Sequence, residues 1–141
     1  LVFLLISLRK HCWRMPFSIR HMDKFMAVDP SLRNSLLRQL EKDLRPGKPL
    51  IVDLEAKNFV EETFSQVQDI LDVIIKSEPE SFVNILYLID VPEEQLHKKM
   101  RSGEYSSFTQ LVAKAVLERE MQKVLFRKLY SQGKLDPKSN S

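Results

Sequence analysis

Three times in the second half of this chain a small polar residue stands three positions before Glu or Gln, at Ser77 and Glu80, Asp90 and Glu93, and Ser107 and Gln110. At that spacing the first side chain accepts from an orphan N–H at a helix start, and the second reaches back to an N–H at the cap. In the first two units a proline follows, Pro79 and Pro92, where its fixed φ suits the opening turn of a helix. Asp29-Pro30 supplies a fourth start signal without the second half of the box. A chain punctuated in this way has little room for paired strands. The expected fold is all-α, a single compact bundle of about five helices.

The apolar spacing between the signals agrees. Leu32, Leu36, Leu37, Leu40 and Leu44 recur at helical intervals after Pro30, and Arg45-Pro46-Gly47-Lys48-Pro49 ends that helix, because two prolines cannot donate and glycine accepts a left-handed turn. Leu50, Ile51 and Val52 read as an apolar crossover, since no second strand is present to pair with them. From Asp53 or Glu55 to Lys76, residues Phe59, Val60, Phe64, Val67, Ile70, Leu71, Ile74 and Ile75 gather on one side. Glu61, Glu62, Asp69 and Asp72 fall opposite, so this helix has an acidic back. Residues Phe82 to Ile89 are apolar around the whole axis, which predicts a central helix buried on every side, with a hydrogen-bond partner for Asn84. A short helix carries Leu96 and Met100 and ends by Gly103, and a long one runs from Ser107 to about Ser131.

At 141 residues the chain fits one domain able to bury roughly 68% of its unfolded surface. Its single cysteine, Cys12, excludes an internal disulfide and favours a reducing compartment, the cytoplasm. Residues Leu1 to Leu8 are too short to span a bilayer, which takes about 20 residues. The basic cluster Arg9, Lys10, His11 and Arg14 follows the apolar run, the reverse of a signal peptide. The chain is therefore divided into a leader or extended N-terminus of doubtful order (1–26), a helical domain (27–132) and a flexible tail (133–141).

Charge is segregated. Residues 58–97 carry one Lys against nine acids, whereas residues 98–141 carry ten basic residues against four acidic ones. Such blocks invite pairing, within the molecule or with a charged partner.

No pattern for catalysis or for a cofactor stands out, and the chain reads as a non-enzyme. Glu94 and His97 have the spacing of a di-iron helix pair, but that site needs a second copy and further carboxylates, and Lys98 and Lys99 repel a cation. His11, Cys12 and His21 lack the partners a structural zinc site requires. The three glycines fall at turns or helix ends, so no phosphate-cradling loop is built.

The long last helix is the local oddity. Phe108, Leu111, Val112, Ala115 and Val116 form one apolar face, to which Phe126, Leu129 and Tyr130 return. Leu117, Met121 and Val124 form a second strip on roughly the opposite side, with Glu118, Arg119, Gln122 and Lys123 interrupting the first face. Two strips imply two neighbours. Either both close inside one domain, or one meets a second copy or another protein.

The leading expectation is an interaction module that self-associates or docks a protein partner through this helix, using Leu117, Arg119, Met121, Lys123, Val124 and Arg127. The alternative is nucleic-acid binding by a helix-turn-helix-like unit at 92–131. There Ser107, Thr109, Gln110 and Lys114 would enter the groove, and Lys98, Lys99 and Arg101 would meet phosphates.

Residues Asn84 to Leu96 and Leu117 to Tyr130 together resemble a small all-helical family of Bacteroidetes-type bacteria, over roughly residues 27–132. The resemblance implies a cytoplasmic bacterial protein and brings no activity, cofactor or catalytic residue.

Overall fold

The computed structural model describes residues 19–132. Six helices follow one another: α1 (Ile19–Val28), α2 (Ser31–Leu44), α3 (Phe59–Ser77), α4 (Pro79–Ile89), α5 (Glu93–Arg101) and α6 (Phe108–Ser131). No strand occurs among the described residues.

The middle of the molecule is α6, which packs against each of the other five helices. Its two apolar strips point in different directions because there is core on both sides. Leu111, Val116, Leu117 and Met121 are all fully enclosed. Burying each such side chain contributes about 1.5–3 kcal/mol, so this helix anchors the body.

The expectation for α4 is overturned. Phe82, Ile85, Leu86 and Ile89 face the core, but Asn84 is exposed and so are Val83, Tyr87 and Leu88. All-round apolar character signals full burial only when neighbours exist on every side, and α4 has them on one side.

The helix starts are partly as expected. Ser107 Oγ accepts from the Gln110 N–H at 3.1 Å, and the Gln110 side chain accepts in return from the Ser106 N–H at 3.0 Å. Asp29 Oδ1 accepts from the Ser31 N–H at 3.1 Å, which opens α2. Ser77 and Asp90 do other work. Ser77 is the last residue of α3, and Asp90 takes a left-handed conformation (φ 60°) that closes α4. Pro79 does occupy the first turn of α4.

The helical body also starts earlier than the boundary at residues 26 and 27. Met22 and Met26, on α1, are fully buried against the core, so part of the expected leader is structural. Residues 1–18 and the tail from 133 lie outside the described residues, and with them His11 and Cys12.

Between α2 and α3 the chain crosses over without sheet pairing, and side chains replace the missing strand. The Gln66 amide both accepts from the Ile51 N–H and donates to the Ile51 carbonyl. Glu41 Oε1 accepts from the Leu50 N–H at 3.1 Å, and Arg33 Nη1 donates to the Leu54 carbonyl at 2.6 Å. Arg45 (φ 47°) and Gly47 (φ 80°) turn the chain out of α2 into this crossover.

Candidate functional site

The apolar half of the expected docking surface is not at the surface. Leu117 and Met121 have 0% exposure and Val124 has 3%, all enclosed within the one chain. The strip was legible as apolar, but the helices packed around α6 cover what the sequence left open.

The charged half does come together. Arg119, Lys123 and Arg127 recur at four-residue intervals along α6 and line a shallow pocket of about 430 Å³ with Asp90, Gln122, Phe126 and Tyr130. Each cation is fixed by the fold. Arg119 Nε donates to the Ile89 carbonyl at 2.8 Å, and Arg127 Nη2 donates to Gln39 Oε1 at 2.7 Å. Lys123 Nζ donates to Asp43 Oδ2 at 2.9 Å and to the Leu88 carbonyl at 3.0 Å.

Beneath Lys123 lies a buried acid. Glu120 has no exposure, its oxygens make no well-aligned hydrogen bond, and Lys123 Nζ stands 3.3 Å from Oε1. Burial, reinforced by the neighbouring Asp43 carboxylate, pushes Glu120 up to about 8. Asp43 moves the other way. Its own burial opposes ionisation, but Glu120, Lys123 and Gln39 together outweigh that and hold it below the usual carboxylate range. Glu118, half-buried, is pushed up to about 7 by desolvation despite Lys114, whose Nζ is 3.9 Å away.

The residues expected to read nucleic acid are dispersed in role. Ser107 and Gln110 are spent on the helix cap, Thr109 Oγ1 donates to Asp72 Oδ1 at 3.3 Å, and Lys114 Nζ donates to the Tyr105 hydroxyl at 3.1 Å. Lys98, Lys99 and Arg101 are exposed on α5. A recognition helix must present one long free face to a groove, and α6 is covered by five helices. His97 stacks on Phe108 with centroids 4.9 Å apart, which ties α5 to α6, and faces Glu93 of its own helix at 3.4 Å. Among the described residues no group of His, Cys, Asp and Glu has the arrangement of a metal site.

The feature that sequence reasoning missed is a groove of about 900 Å³ between the crossover, α3 and α4. Ile70, Val73 and Ile74 of α3, Ile85 and Leu88 of α4, and Leu50 and Ile51 of the crossover supply its apolar lining. Three of these are open to solvent: Ile51 at 80%, Val73 at 62% and Leu88 at 51%. Asp69 and Glu78 stand on the α3 and α4 wall, and Arg45 and Lys48 on the crossover wall. The signal was present in α4, whose apolar residues outnumber what one core-facing stripe can hide. Tyr87 and Val83, a turn apart on its outer side, belong to the same excess.

Among the described residues no helix is long and apolar enough to cross a membrane. Comparison of the chain with protein-family models, with curated proteins and with solved structures finds no match.

Proposed function

We propose that this chain is a protein-docking module whose groove between α3, α4 and the crossover receives an amphipathic helix from a partner protein. The supporting observation is the exposure of Ile51, Val73 and Leu88 along one concave surface. Scattered apolar side chains are ordinary on a surface, whereas several lining one groove mark a contact site.

Charge selects the occupant. The α3 and α4 wall carries Asp69 and Glu78 within a stretch, residues 58–97, that holds one Lys against nine acids. The segment that fits carries Lys or Arg on the flank that meets this wall. Exposed ion pairs contribute only about 0–1 kcal/mol each, so apolar burial supplies the affinity and charge sets orientation.

The reading is tested by fluorescence anisotropy with two designed helical peptides that share a leucine stripe, one with Lys and one with Glu on the flank. The lysine peptide binds the wild-type chain, and Val73→Asp or Leu88→Asp abolishes the signal. Equal binding of both peptides, or binding indifferent to Val73→Asp, overturns the proposal. A dimer by light scattering that Val73→Asp converts to monomer overturns it in favour of a second copy of this chain as the occupant.

A further inference from the structure

A second surface, independent of the groove, carries its own chemistry. Arg119, Lys123 and Arg127 stand one turn apart on one face of α6, an arrangement of like charges that costs about 0.2–0.5 kcal/mol per neighbouring pair in an isolated helix. The fold nevertheless gathers them around one cavity. Lys123 is matched by Asp43, and the two guanidinium-bearing side chains share the pocket's lining with a single further acid, Asp90.

We infer that the pocket of Arg119, Arg127, Gln122 and Tyr130 beside the end of α4 is a binding site for a phosphate-bearing small molecule.

The anchoring of the two arginines is the main reason. Arg119 is held through the Ile89 carbonyl and, at 3.2 Å, through Gln122 Oε1, while Arg127 is held through Gln39 Oε1. These acceptors are neutral. They fix the planes of the guanidinium groups without cancelling their charge, and each group has five N–H donors, so donors remain for a ligand. A planar fork matches the edge of a phosphate group, and a fork already held in place loses little freedom on binding. The half-buried rings of Phe126 and Tyr130 wall the cavity and lower the local dielectric, which strengthens the attraction. At about 430 Å³ the pocket exceeds a bare phosphate ion and accommodates a small organic phosphate.

Titration of the labelled full chain with inorganic phosphate, followed by amide chemical shifts at constant ionic strength against sodium chloride, tests this. Saturating shifts confined to Asp90 and the segment Arg119 to Tyr130 are expected with phosphate and not with chloride. Arg127→Gln, on an exposed side chain, weakens phosphate about tenfold, while Lys98→Gln and Val73→Asp leave it unchanged. Shifts that fail to saturate, or that fall equally on Lys98, Lys99 and Arg101, overturn the site. So does an affinity that Arg127→Gln does not lower. Arg119→Gln removes an internal bond as well, so should that variant unfold, the wild-type shift map and Arg127→Gln decide. Loss of phosphate binding in Arg127→Gln with peptide binding intact separates this site from the groove.

Discussion

Lys123 Nζ and Asp43 Oδ2 lie 2.9 Å apart, joining α6 to the end of α2 across eighty residues of sequence. The same ammonium donates to the Leu88 carbonyl, so one side chain ties together three helices and separates the apolar groove from the cationic pocket. Removing one member leaves the other charge largely enclosed. Lys123→Met is expected to lower unfolding free energy by about 2–3 kcal/mol, read from urea denaturation, and Asp43→Asn by a similar amount. The double variant is expected to cost less than the sum of the singles, because the two side chains share one interaction.

Two acids of α6, Glu120 fully buried and Glu118 half-buried, give stability an unusual pH dependence. Glu120 titrates at about 8 in the folded chain against an ordinary value of 4.5, so the native state keeps a proton that the unfolded chain releases. Its contribution is fully present below 4.5 and is lost as pH rises through about 8. Glu118 acts in the same direction up to about 7. Asp43 and Asp29, held below the usual range, lose their contribution as pH falls instead. Stability is therefore expected to decline as pH rises from about 5 to about 8.5, with a separate loss in strong acid. Glu120→Gln carries no proton to lose, so urea midpoints of that variant should fall less over the same interval.

Much of this architecture was legible because helix boundaries are written locally. Pro30, Ser107 and the spacing of Leu32 to Leu44 depend on neighbours within a few residues, and the structure keeps them. The division between inside and outside is a different matter. Leu88 and Met121 are both apolar residues in apolar runs, yet one is half exposed and the other fully enclosed. Periodicity shows that a face is apolar, whereas what covers it depends on helices far away in sequence. The early reach of the core had the same origin, since Met22 and Met26 contact elements more than eighty residues later. For the candidate site, Arg119, Lys123 and Arg127 were visible as one stripe. Their role depends on the Ile89 and Leu88 carbonyls and on Gln39 and Asp43, which no local pattern places beside them.

Two substitutions separate core from groove. Met121→Ala empties space at the centre of the body and is expected to cost about 2–5 kcal/mol. Val73→Asp replaces a side chain that is 62% exposed, and its unfolding free energy should stay within about 0.5 kcal/mol of wild type. Thermal and urea denaturation of both variants provides the check. A large loss for Val73→Asp would mean that Val73 belongs to the core.

The extent of the folded unit at its N-terminal side yields the last expectation. α1 places Met22 and Met26, both fully enclosed, against α2, α3 and α6. A variant beginning at Ala27 loses both side chains and uncovers the apolar surface they meet. Each buried methionine truncated to alanine costs about 2–5 kcal/mol, and a domain of this size holds about 5–15 kcal/mol in all. The shortened chain should therefore lose about 4–10 kcal/mol, a large share of its stability, and expose apolar surface to a dye such as ANS. A variant beginning at Ser18 retains α1 and keeps both methionines in place. A large gap in urea midpoint between these two variants is the expected result, because it is the burial of Met22 and Met26 that makes α1 part of the body.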